Sequence, residues 1–258
     1  MKRNGRTVLI ALEIATPFVL VTLYALWAAP RDSFFFPPLG EILAALRADW
    51  FGERILSDIW PSIRRILLGF SLSAILAVGL GFALGLSRRA RIATAPLVEF
   101  FRALPPPALL PLTILVLGVG DVAKVLLIAL VCLFPILQNT IAGITGIDPT
   151  LRETARMYGI TRRGELLHVV LPGALPAIFA GLRTSLSLAV IMMVISEFVA
   201  ASNGIGFGIW QAKRLFDIPL MWSGIIILGI LGYILNMALL QIESRVLAWH
   251  RGARKAAE

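Results

Sequence analysis

Six predominantly apolar stretches, at about 8–29, 63–86, 96–118, 122–146, 173–201 and 221–247, each have the length an α-helix needs to cross a hydrocarbon core of ~30 Å. No other feature constrains the fold as strongly. Inside lipid every backbone N–H and C=O must be satisfied within the chain, which leaves helices as the spanning element for runs this long. The pattern therefore predicts an all-α integral membrane protein with six transmembrane helices. With 58% hydrophobic and 15% charged residues among 258, the chain lacks the polar surface that a soluble core of this length requires. The first stretch follows MKRNGR and is read as a span. Its length exceeds the roughly 7–15 residues of a signal-peptide core, and Pro30 directly follows the small-residue site. Glu13 then lies near its cytoplasmic end.

Charge placement orients the spans. An even number of crossings puts both termini on one side. Lys2, Arg3 and Arg6, then Arg88, Arg89 and Arg91, then Arg152, Arg156, Arg162 and Arg163, then Arg245, Arg251, Arg254 and Lys255 all fall on that side. Basic enrichment in short loops marks the cytoplasm, so N- and C-termini are expected there, in a bacterial plasma (inner) membrane. The opposite face receives 31–61 and 202–220. The first of these carries Asp32, Glu41, Asp49, Glu53 and Asp58 against Arg31, Arg47 and Arg54. The Arg64–Arg65 pair at the outer end of the second span runs against the rule and is expected to snorkel to the interface. The formal charge of +9 raises nucleic acid as a partner, but no basic stripe is interleaved with stacking aromatics, and nucleic-acid binding is set aside.

Cys132 is the single cysteine and lies inside an apolar run, so it is read as packing. His168 and His250 are far apart at membrane boundaries, so no metal site and no cofactor are expected. Gly81 and Gly85, with Gly79 nearby, form a small-xxx-small pair that lets two helices approach closely. They are not a nucleotide fingerprint, because no strand precedes them. Pro105, Pro106, Pro107, Pro111 and Pro135 fall within the third and fourth spans, where they indicate either broken helices lining a path or ordinary kinks.

The connection at 148–171 is the most informative loop. Asp148 is a good N-cap, Pro149 suits the first helical position, and Gly159 can end the helix in a left-handed conformation. A short helix of ~15 Å is expected at 149–158. Leu151, Ala155 and Tyr158 share one face, Arg152 and Arg156 a neighbouring one, and Glu153 lies near the positive end of the helix dipole.

Glu153-Thr154-Ala155, then Gly159, then Val169, Leu171 and Pro172 resemble the EAA loop of bacterial ABC importer permeases. Thr154 replaces an alanine and Val169 an isoleucine of that pattern. Phe101-Arg102-Ala103-Leu104-Pro105-Pro106-Pro107-Ala108 with Leu110-Pro111-Leu112 is similar to the third-helix segment of the nitrate, sulfonate and taurine importers. Gly181-Leu182-Arg183 and Ser196-Glu197-Phe198-Val199-Ala200-Ala201 are similar to their fifth helix, and Gly204-Ile205-Gly206 to the segment just after it. The resemblance implies the type I importer permease architecture. Two permease copies, expected as a homodimer, would form a pore, two cytoplasmic ATPases would bind the EAA helices, and an extracytoplasmic solute-binding protein would deliver solute. Glu153, Thr154, Ala155, Tyr158, Gly159, Leu171 and Pro172 are then the ATPase-coupling residues. The sequence carries no phosphate-binding loop, so the chain is expected to be a transporter subunit without its own ATPase site. The domain reading is a single permease domain over 1–258 with its core at 60–247, a tail and first helix at 1–30, and the EAA loop at 148–171.

Three residues are candidates for the translocation pathway. Arg183 lies about 16 Å past Pro172 along a helix, near the midplane, where it either lines a route for an anionic solute or forms an internal pair. Glu197 sits toward the outer end of the same span, as a gate residue or, the reading preferred, a structural one. Asn139, beside Gln138, either lines a polar path or bonds between helices. Glu99 and Arg102 are expected to pair. The expected cargo is an organic sulfonate, taurine or a nitrate-like anion, with a thiamine-precursor pyrimidine as alternative. An ATP-independent channel or secondary transporter is the competing transport class. A membrane enzyme lacks its parts, since neither H-E-x-x-H nor G-x-S-x-G occurs.

Overall fold

The computed structural model describes residues 2–31, 33–52 and 54–249. Asp32, Glu53, Arg251, Arg254 and Lys255, which entered the charge reading, and His250, which entered the metal reading, lie outside the described residues, as do the side chains of Lys2, Arg3, Arg6 and Glu13. The described chain is helical, with no strand among its elements.

The order is α1 (Lys2–Ala28), α2 (Leu39–Ala45), α3 (Trp60–Leu86), α4 (Arg88–Ala103), α5 (Leu110–Leu117), α6 (Asp121–Thr145), α7 (Pro149–Met157), α8 (Arg162–Glu165), α9 (Leu171–Ala200), α10 (Ile205–Leu215) and α11 (Ile218–Val246). Single π-helical turns join some of these without a break, so Ile55–Leu86 and Arg162–Val199 run as continuous helices of 32 and 38 residues. Four helices are long and apolar enough to cross a membrane, or up to five with one bent pair counted as a span. The expected six is not reached by that measure, because the first span contributes only the shorter apolar helix Ala15–Ala28.

The expected third span, 96–118, is corrected by the structure. It is broken, with Arg88–Ala103 and Pro106–Leu117 meeting at 89°. Leu104 and Pro105 are extended, since a residue before proline is pushed out of the helical region and proline lacks the N–H to continue the ladder.

Helix α6 is the centre of the core. A Cβ built on Gly69, Gly81 or Gly85 of α3 would meet Ile128, Thr140 or Ile144 of α6 at 2.7, 2.5 and 2.9 Å. The contacts advance in step along both chains, so α3 and α6 run parallel, and the α4–α5 segment between them returns to the end from which α3 started. On its other side α6 packs antiparallel to α9: Gly143 abuts Ala177, and Gly181 abuts Asn139 and the Pro135 carbonyl. Cys132 sits in this seam, fully buried, its Sγ donating to the Ser185 carbonyl while Ser185 Oγ donates to the Cys132 carbonyl at 2.9 Å.

At the end where α3 and α6 begin, α2 and its π-turn pack on α11, and the buried Trp50 indole donates to Ser223 Oγ at 2.9 Å. Tyr24, Trp27, Phe36 and Trp222 cluster there, as amphipathic rings do at a membrane–water boundary. Arg88, Arg89, Arg91, Arg152, Arg156, Arg162, Arg163 and Arg245 gather at the opposite end, which carries α7.

Gly79 and Gly81 make a direct test of this packing. A Cβ on Gly79 meets nothing within 4 Å, so Gly79→Ala should be stabilising by about 0.5–1 kcal/mol through helix propensity. Gly81→Ala should instead cost about 1–3 kcal/mol by overpacking. Thermal unfolding in detergent, compared between the two variants, is the check.

Candidate functional site

The loop at the α7 end forms the helix its sequence predicts, one residue shorter. Asp148 Oδ1 accepts from the Thr150 N–H at 2.8 Å, and this bond holds the Asp148 carboxyl below the usual carboxylate range. Pro149 opens the helix, Tyr158 closes it, and Gly159 takes φ +72°. The Gly159 N–H donates to the Arg156 carbonyl and the Ile160 N–H to the Ala155 carbonyl, the two bonds of a Schellman stop.

The face expected to be shared by Leu151, Ala155 and Tyr158 is split. Ala155 is buried, whereas Leu151 is exposed and Tyr158 is 83% exposed, as is Met157 at 87%. The helix therefore turns bulky apolar side chains outward and rests on its small residue. Thr154 Oγ1 bonds back to the Thr150 carbonyl, and Glu153 is exposed over a cleft of about 320 Å³ with Arg88, Arg91 and Arg156 on its walls. Leu171 and Pro172 are half-buried at the start of α9.

What holds α7 in place was missed by sequence reasoning. Glu165 of α8 is almost fully buried and accepts from Arg152 Nε at 2.7 Å and from Arg156 Nε at 3.2 Å. Two arginines four apart on one helix face are the signal; their partner could not be found by local spacing. Because Glu165 belongs to the continuous Arg162–Val199 helix, this clamp joins α7 to the element that runs the length of the bundle.

At the far end lies a second polar constellation. Arg65 is 2% exposed and Glu197 is 0% exposed, which corrects the snorkelling expectation for Arg65, while Arg64 remains half exposed. Arg65 Nη1 donates to Glu197 Oε1 at 2.6 Å, its Nε to Asp121 Oδ1 at 2.8 Å, and its Nη2 to Asn203 Oδ1 at 2.6 Å. Arg64 also pairs with Asp121. Glu197 further accepts from Ser62 Oγ and from the Gly206 N–H at 2.9 Å, while the Gly204 and Ile205 N–H groups donate to Asp58 and Ser62. Side-chain acceptors from α3, its π-turn and α9 thus cap the start of α10, where the helix dipole favours negative charge. Gly204 sits at φ +121°, and a Cβ there would lie 2.4 Å from the Glu197 carboxyl carbon.

The remaining candidates are dispersed. Arg183 is paired with Glu243, one turn before the end of α11, rather than left alone at mid-depth. Asn139 Nδ2 donates to the Pro135 carbonyl of its own helix at 2.8 Å. Glu99 and Arg102 do pair, with Nε to Oε2 at 3.2 Å. The structure does not bring Arg183, Asn139 and Glu197 together.

Residues 69–248 match the family model described as binding-protein-dependent transport system inner membrane component. The chain is 37% identical over 245 residues to the putative aliphatic sulfonates transport permease protein SsuC of Escherichia coli (strain K12), covering 93% of each chain. It is 29% identical over 248 residues to the taurine transport system permease protein TauC of the same strain, covering 93% of this chain and 90% of that one. Its fold is similar to that of a chain of the MetNI methionine ABC transporter in inward-facing conformations, with TM-score 0.65, 20% identity, and 73% of this chain and 94% of that chain covered. The match over most of the helical core, together with these relatives, shows that the chain belongs to the inner-membrane permease family of binding-protein-dependent ABC transport systems.

Proposed function

We propose that this permease is half of the pore of an ATP-driven importer for small organic anions of the sulfonate and taurine type. The α7 end would face the cytoplasm, two copies would form the pore, and separate ATPases and an external binding protein would complete the assembly. The observation that carries the reading is the construction of α7. It is a short helix with Leu151, Met157 and Tyr158 turned outward, fastened by Arg152 and Arg156 to the Glu165 end of a 38-residue helix. Exposed apolar groups on a well-capped helix suit a groove in another protein. A rigid tie to a long helix lets movement of that groove reach the far end of the bundle.

In this assignment Glu153, Thr154, Ala155, Tyr158, Gly159, Leu171 and Pro172 serve coupling. The relatives named for aliphatic sulfonates and taurine, and a nitrate import permease, NrtB of Synechocystis, at 29% identity, support an anionic cargo. Arg183 serves as a strut in its pair with Glu243, Glu197 as part of the far-end lock, and Asn139 as a side-chain bond to the backbone inside its own helix.

Two variants test the coupling. Glu153→Ala should leave the ATPase bound, judged by co-purification, while solute uptake per ATP hydrolysed falls by about tenfold, a loss equivalent to one charge-assisted contact. Uptake that continues without any ATPase would instead favour a channel. Glu165→Ala should release α7 at a cost of about 1–3 kcal/mol, because two arginines lose their shared acceptor but remain near solvent. Faster hydrogen exchange confined to α7 and α8 is the expected signature.

A further inference from the structure

The far end holds a charge that the polar network does not use. Lys124 stands in the first turn of α6 and is only 5% exposed. Its neighbours pair among themselves: Arg64, Arg65, Asp121 and Glu197 form a chain of ion pairs with two cations and two carboxylates. Among the described residues Lys124 makes no hydrogen bond and no ion pair, although Arg65, Asp121 and Glu197 are close enough to act on it electrostatically. Its ammonium is not sealed in, because among the described residues the one buried polar side-chain atom without a partner is Ser73 Oγ. It opens instead into a cavity of about 470 Å³ between the α5–α6 turn and the α9–α10 turn.

The walls of that cavity are of mixed chemistry. Its lining includes the polar residues Arg65, Asp121, Lys124, Ser202 and Asn203, and with them the apolar Ile114, Val119 and Val199. Asn203 gives its carbonyl oxygen to Arg65, which leaves its amide nitrogen free to donate. The start of α6, at Gly120 and Asp121, also lines the cavity and has no side-chain cap, and a helix start carries the positive end of the dipole. The carboxylate that would oppose an anion there, Asp121, is already held by two arginines. A buried, unpaired ammonium is unfavourable unless something neutralises it. The cavity combines that ammonium, further donors and apolar side chains.

We propose that this cavity is a binding site for a small organic anion, with Lys124 receiving a compact oxyanion head such as a sulfonate and Ile114, Val119 and Val199 contacting a short apolar tail. As a station on the import route the site rests on the function proposed above; as a binding site it does not. Lys124 is then a specificity-determining residue for anionic over neutral or cationic solutes.

The test uses the full chain, purified with the ATPase it retains and placed in lipid nanodiscs, with butanesulfonate as probe and butanol and butylammonium as controls. Calorimetry should detect butanesulfonate and neither control. Lys124→Met should weaken that binding by about tenfold or more, and Lys124→Arg should keep it within about threefold. Without probe, Lys124→Met should unfold at the same temperature as the unaltered protein or higher, since it removes an unpaired buried charge. A lower unfolding temperature in both variants would make the lysine a structural group and overturn the proposal. So would unaltered butanesulfonate binding in Lys124→Met, including the case in which association of two copies is lost instead, which would identify the occupant as a carboxylate of the second copy. Failure of the importer reading shows separately, as absence of ATP-dependent uptake by the unaltered complex, a measurement on which the equilibrium binding does not depend.

Discussion

The close approach of α3 to α6 governs the rest of the architecture. Lipid tails give no hydrophobic reason for two apolar helices to associate, so the contact must come from fit, and glycines at 69, 81 and 85 remove the side chains that would hold the backbones apart. Because the two helices are parallel, the chain between them has to return across the bundle. It does so as a broken segment whose bend lies at Leu104 and Pro105. Antiparallel packing of α9 on the other face of α6 completes the frame, with Gly143 and Gly181 at the points of closest approach.

That frame places polar tethers at its two ends. At one, Glu165 gathers Arg152 and Arg156 and fastens α7 to the long helix that becomes α9. At the other, Glu197 near the end of the same helix joins Arg65 of α3 and the start of α10. A buried ion pair adds little to stability when weighed against apolar packing, because both charges lose their water. Its contribution here is specificity of arrangement, since the Arg65 guanidinium satisfies Glu197, Asp121 and Asn203 only in one relative placement of α3, α6 and α9. One helix therefore links the α7 loop to the polar network at the far end.

Much of α7 was legible locally. The Asp148 cap, Pro149 at the first turn and Gly159 at the stop are decided by backbone chemistry within a few residues, and the structure differs by only one position. Gly81 and Gly85 were also readable, since small residues four apart mark one helix face, whereas Gly69 and Gly143 were not singled out and Gly79 faces open space. The long-range pairings were not. By spacing alone Arg64 and Arg65 are interfacial exceptions, Arg183 is isolated, and Lys124 has nothing to distinguish it. Each gets its meaning from residues dozens of positions away, and periodicity carries no information on which helix faces which.

Residence in lipid, a helical backbone, the position of the basic end and the likeness of one connecting loop to a docking helix are all written in the order of the amino acids. Those properties arise from composition and from interactions within one or two helical turns. The parallel run of α3 and α6, the partnership of Arg65 with Glu197 and the unpaired charge of Lys124 at the edge of a cavity are set by tertiary packing alone. The physical reason is that a charge in a helix has no fixed environment until another helix supplies or withholds its counter-ion, and that choice is made by packing.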